Sequence, residues 1–191
     1  MRHSVIILVF VAAVISGCRN DVATPRQLAF PRIVTCDTIY HPVDNAVIPI
    51  DINTSAVVDV TNRGRWIDAY YPTYHGKLSL TLDEYQHSDS IRAAIDNRVE
   101  RMSINVGDFT AEQTDLHSPD GVHSVILVTS AGCVTPVQFL ATDRRRLLVS
   151  GSFSFDNPVT KHNADSLAPV IDALRSDIIR LVNSIHPENI K

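Results

Sequence analysis

Three cysteines occur in this chain of 191 residues, and one of them, Cys18, stands where a sulfur has defined chemistry. Met1-Arg2-His3 is a short basic start, Val5 to Ile15 is an unbroken apolar run, and Ile15-Ser16-Gly17-Cys18 follows. That order is a bacterial lipobox. The apolar run enters the bilayer, and small Ser16 and Gly17 let the backbone into a peptidase cleft. The Cys18 thiol takes a diacylglycerol before cleavage makes it the new amino terminus. A membrane-spanning helix needs about 20 apolar residues, roughly twice what this run supplies. An ordinary secretory cleavage site has small residues one and three positions before the cut, whereas Ile15 fills the outer of these. The expected layout is a lipoprotein signal peptide over residues 1–17, a flexible tether over residues 18–30 and a single domain over residues 31–191. Each buried CH₂ of an acyl chain contributes about 0.8 kcal/mol, so two or three chains hold such a domain at a membrane facing the periplasm. Arg19 rather than aspartate follows the cysteine, which points to the outer membrane before the inner one.

Other reactive side chains are not arranged for catalysis. His41, His75, His87, His117, His123, His162 and His186 form no H-E-x-x-H or H-x-H spacing, and no cysteine lies within ligand spacing of them. His117 and His123 flank Ser118-Pro119-Asp120-Gly121, which reads as a hairpin turn with exposed histidines beside it. No G-x-S-x-G elbow is present, and Gly151-Ser152-Phe153-Ser154 lies inside a strand pattern. Neither a phosphate-binding loop nor a dinucleotide fingerprint occurs. The expectation is a non-enzyme without metal or cofactor. Cys36 and Cys133 could pair in an oxidising envelope, where the long loop would contribute about 4–5 kcal/mol in the chain-entropy model; free buried thiols are the alternative. Two segments are candidates for partner contact. Trp66, Tyr70, Tyr71 and Tyr74 gather large aromatics of the kind enriched at interfaces, although on a strand half of them would face the core. Arg144-Arg145-Arg146 puts three guanidinium groups at one turn, able to grip a carboxylate or phosphate surface, or simply solvated at a hairpin tip.

Loss of Arg2 with the signal takes the 17 basic side chains to 16 against 21 acidic ones, a net charge near −5. That argues against a nucleic-acid partner, which would want a basic face, and leaves the lipid anchor to hold the membrane unaided by charge.

The elements that must position these residues read as α+β. Between Pro31 and Val60, prolines 42 and 49 interrupt short apolar pieces, so edge strands or extended segments are expected. Aromatic-rich Trp66–Tyr71 reads as a strand, Lys77–Leu82 alternates with period 2 as a half-buried strand, and the turn between them makes a hairpin. Ser88 or Asp89 caps a helix with Ile91, Ile95, Val99 and Met102 at helical spacing, closed by Gly107. Strands at Val122–Val128, Val134–Ala141 and Leu147–Phe155 form an antiparallel meander. Leu167, Val170, Ile171, Leu174, Ile178, Leu181, Val182 and Ile185 make the stripe of a long amphipathic C-terminal helix, with Ser166 as N-cap and Pro169 in its first turn. An antiparallel β-sheet packed by a middle and a C-terminal helix is the expected architecture.

Trp66-Ile67-Asp68-Ala69-Tyr70-Tyr71-Pro72, Gly76-Lys77-Leu78-Ser79-Leu80, Thr135-Pro136-Val137-Gln138-Phe139 with Thr142-Asp143, and Asp165-Ser166-Leu167-Ala168-Pro169-Val170-Ile171 resemble, in this order, the gliding motility-associated lipoprotein GldD family of Bacteroidota. The resemblance runs from about Trp66 to Ile185. Phe30-Pro31-Arg32-Ile33 only faintly echoes the aromatic, proline-rich opening of the family. The resemblance implies an envelope lipoprotein associated with gliding motility and the type IX secretion machinery, with no catalytic residues to carry over. The expected function is therefore an accessory or scaffold subunit acting through contacts with other envelope proteins. The rival expectation is a periplasmic ligand-binding module or cryptic hydrolase with a polar pocket between the sheet and the C-terminal helix.

Overall fold

The computed structural model describes residues 36–129 and 132–189; the lipobox, signal peptide and tether lie outside the described residues. Strands β1 (Tyr40–Pro42) and β2 (Asp51–Asn53) form a small antiparallel ribbon. The remaining strands are β3 (Val57–Thr61), β4 (Trp66–Tyr71), β5 (Gly76–Glu84), β6 (Ala111–His117), β7 (His123–Thr129), β8 (Val137–Thr142) and β9 (Leu147–Phe155). They build one seven-stranded antiparallel sheet in the order β3-β4-β5-β9-β8-β7-β6. Helix α1 (Ser88–Val106) carries the chain from β5 in the middle to β6 at the far edge, and α2 (Ala164–Asn183) follows β9. The α+β arrangement read from the sequence is the one observed.

Alternation along the strands decides which residues meet which helix. Ile67, Ala69 and Tyr71 of β4, Leu78, Leu80 and Leu82 of β5, and Val137, Phe139 and Ala141 of β8 are all buried in one large apolar cluster. Against it α2 lays Val170, Ile171, Leu174, Ile178, Leu181 and Val182, while Ile48, Ile50 and Ile52 from the β1–β2 region complete the cover. Gly64 makes this cover possible: with φ at +84°, it approaches Asn45 so closely that a Cβ would sit 2.1 Å from the Asn45 carbonyl oxygen. On the other face α1 packs only a small cluster, Met102 with Leu140 and Leu148, edged by Tyr85, Ala94, Ile95 and Leu127.

Several local expectations are corrected. Val99, expected on the buried stripe of α1, is 48% exposed because the apolar seam under that helix is narrow. Strand β8 starts at Val137, and Val134 is 72% exposed; Pro136 instead lends its carbonyl to the Thr129 amide at 2.8 Å. Helix α2 starts earlier than Ser166, with Asn163 as N-cap, so Pro169 sits inside the helix and not in its first turn. Strand β6, whose polar residues gave no alternation, is present as an edge strand zipped along β7. Cys36 and Cys133 are free thiols. Cys36 adjoins Tyr74 and the α2 side, whereas Cys133 donates to the Asn105 carbonyl of α1 at 3.2 Å. The sheet lies between the two helices, so the pairing considered from sequence is not formed.

Candidate functional site

The narrow seat of α1 leaves the outward residues of β4 and β5 exposed or partly exposed while Ser150 of β9 is buried, and the register shows what this face presents. Trp66 is paired with Thr81, and Thr81 with Ser150; Asp68 is paired with Ser79, Ser79 with Ser152, and Ser152 with Gln138. Directly opposed residues share a face, so a strip of hydroxyls crosses the sheet, with Trp66, Asp68 and Tyr70 at its outer margin. Trp66 is 55% exposed. Lys77 Nζ reaches Asp68 Oδ2 at 3.0 Å, and Ser79 donates to Oδ1 at 2.7 Å. Burial pushes the Asp68 carboxyl up, but these hydrogen bonds and the lysine charge outweigh it and hold the group below its ordinary value. Tyr70 donates to Asp156 Oδ2 at 2.8 Å, which together with partial desolvation raises its phenol.

Where this strip passes under α1 it becomes a cleft of about 130 Å³, lined by Ser79, Thr81, Ser150 and Ser152 from the strands and by Arg98 and Arg101 from the helix. Gln138, 2% exposed, forms part of its wall. Its Oε1 accepts from Asn105 Nδ2 at 3.0 Å, while its Nε2 has no hydrogen-bond partner among the described residues. The polar cleft therefore lies between the sheet and the middle helix. The pocket considered from sequence, between the sheet and the C-terminal helix, is filled by the apolar cluster.

The four aromatics expected as one patch divide by strand parity. Trp66 and Tyr70 face outward, whereas Tyr71, 2% exposed, and Tyr74 are core residues stacked with ring centroids 6.0 Å apart. Burial raises both of the inner phenols, and the Tyr74 hydroxyl accepts the Cys36 amide at 2.9 Å. The arginine turn joins β8 to β9 at the end of the sheet where Trp66 begins β4. Asp143 Oδ1 accepts the amides of Arg145, Arg146 and Leu147 at 2.9–3.0 Å, which shapes the turn. Arg144 takes a left-handed φ of 58°, and Arg146 pairs with Glu84 at 2.7 Å. Arg146 is thus engaged by Glu84, whereas Arg144 and Arg145 stand exposed at the turn.

A second polar group joins the β1–β2 ribbon to α2. Asp177 accepts from the Tyr40 hydroxyl and, at 3.3 Å, from Asn53 Nδ2, which also donates to the Asp37 carbonyl at 2.6 Å. Arg180 lies 5.3 Å from the Tyr40 ring centroid. Burial pushes the Asp177 carboxyl up against these hydrogen bonds, and the Tyr40 phenol rises to about 12 through desolvation and its bond to Asp177. Cys36 beside this clasp is also pushed up by burial, which keeps its thiol protonated and a poor nucleophile. The clasp is a structural tie.

His117 and His123 face each other across the β6–β7 hairpin with rings 4.6 Å apart. Desolvation, Arg144 and His117 all lower the His123 imidazole. Among the described residues no three histidine, cysteine or carboxylate side chains gather as metal ligands, and no helix is long and apolar enough to cross a membrane. Arg98, Arg101 and the strand hydroxyls are site residues that spacing along the chain did not reveal. Their only sequence signal was the period-2 run of small polar residues in Ser150-Gly151-Ser152 and Ser79-Leu80-Thr81.

Comparison with the curated proteins finds no match. The domain with its half-covered sheet falls within the reach of one family model, which spans residues 20–186: the chain belongs to the gliding motility lipoprotein GldD family.

Proposed function

We propose that this chain is an accessory or scaffold subunit of the gliding motility or type IX secretion machinery, fixed in the envelope by lipid on Cys18 and working through protein contacts. Membership of a lipoprotein family carries the reading. The lipobox just ahead of the matched residues supplies the anchor, and Arg19 after the cysteine directs the lipid to the outer membrane with the domain in the periplasm. The exposed side of the sheet supports contact with another protein. Trp66 is a large, half-exposed aromatic beside a satisfied Asp68–Lys77 pair, a combination suited to a docking rim. Anchoring on a surface raises local concentration, so a weak interface suffices.

Crosslinking in the native cell followed by purification tests this. The anchored chain recovers other envelope components, and Cys18→Ser both leaves the membrane fraction and loses them. Repeated recovery of no envelope component, with motility and secretion intact in a deletion strain, would overturn the proposal.

A further inference from the structure

The cleft beneath α1 is unusual in a chain whose net charge is −4. Its lining carries two arginines, four hydroxyl side chains, an asparagine and a glutamine, and no carboxylate. Arg98 and Arg101 take part in no ion pair among the described residues. Asp68, at the margin of the strip, is already held by Lys77 and Ser79. Gln138 adds the decisive feature. A fully buried amide donor without a partner is unfavourable, and here the amide stands in the wall of a polar cleft, with its oxygen fixed by Asn105 so that its nitrogen is the free end. Guanidinium groups above, hydroxyls along the floor and an unsatisfied N–H donor are all complementary to negatively charged oxygen. The volume of about 130 Å³ is well below the roughly 300–1,000 Å³ of sites for whole cofactors or drug-sized ligands. It admits a small charged head and not a nucleotide.

We propose that this cleft binds an oxyanion, the phosphate or carboxylate head of a ligand whose remainder extends along the open sheet. Gln138 Nε2 and the hydroxyls of Ser150 and Ser152 donate from the sheet, and Arg98 and Arg101 close over the charge from α1. This goes beyond a docking role: the anion site is on the inner part of the strip, and Trp66 is at its margin.

The test is thermal melting and calorimetric titration of the full-length chain with inorganic phosphate and, separately, acetate, at constant ionic strength held with chloride. Saturable stabilisation by phosphate but not acetate identifies a phosphate site, and the reverse a carboxylate site. The Arg98→Gln/Arg101→Gln double variant alters only the helix side of the cleft and should lower the affinity by at least about tenfold, with the anion-free melting temperature unchanged. Gln138→Glu, which sets a carboxylate against the ligand, should abolish the response. If Gln138→Glu does not fold, the arginine variant decides alone. A flat response of the native chain to both anions overturns the proposal, as does an undiminished response in the arginine variant. Loss of anion binding with envelope crosslinks intact separates this site from the scaffold reading.

Discussion

The two faces of the seven-stranded sheet are built from alternate residues of the same strands, yet they are finished differently. Beneath α2 the strands offer Ile67, Leu80, Phe139, Val149 and Phe153, and the helix returns an apolar stripe that excludes water from the whole contact. Beneath α1 they offer Ser79, Thr81, Gln138, Ser150 and Ser152, and the apolar seam of the helix is a small cluster around Met102, Leu140 and Leu148. Apolar burial stabilises by about 25 cal/mol per Å², so the α2 face holds the fold while the α1 face is left with polar groups that address solvent or a ligand. The aromatics follow the same division: Tyr71 serves the first face and Trp66 the second.

Truncations on the two sides measure that inequality most strongly. Leu174→Ala in the α2 cluster should cost about 4–5 kcal/mol in chemical denaturation, near the upper end for buried leucines. Met102→Ala in the thinner cluster should cost about 2 kcal/mol. Equal losses would erase the distinction. Next in size is Gly151→Ala. Its Cβ would stand 2.4 Å from the Phe139 ring and 2.6 Å from Leu80, so overpacking of the α2 side should cost about 1–3 kcal/mol. A neutral result would mean that this face is loosely packed.

Legibility from sequence followed the same line. The α2 stripe and the β4–β5 hairpin were readable because apolar residues recur at 3.6 and at 2 where one side is buried. Strand β6 was not, since Glu112, Gln113 and Asp115 carry no such alternation and the strand is held by its ladder with β7. The cleft was invisible because Ser79, Arg98, Gln138 and Ser152 are brought together by β5, α1, β8 and β9, and linear spacing records none of that. Parity within Trp66–Tyr71 did contain the answer for Tyr71, which shares the phase of Ile67 and Ala69.

The clasp on the α2 side gives a smaller, pH-dependent effect. Burial raises the folded Asp177 carboxyl above its usual 3.8, so the folded chain holds that proton more tightly than the unfolded one. The stabilisation from this group is full below about pH 3.8 and is lost as pH rises through the raised folded value. Asp177→Asn has no proton to lose. Its stability relative to the native chain should therefore grow across that window and level off above it; parallel pH profiles would remove the buried charge from the account. Smallest of all is Trp66→Ala, which should change stability by no more than about 0.5 kcal/mol, as expected of an exposed side chain.

Site-specific photocrosslinking in the native cell puts the division of labour to its most direct test. A photoreactive residue is placed at Trp66 on the open face or at Asp172, which is exposed on α2, in the anchored chain. Adducts with envelope proteins from position 66 and none from position 172 are the predicted result. Adducts from position 172 alone would contradict the assignment of the open sheet as the face that meets a partner.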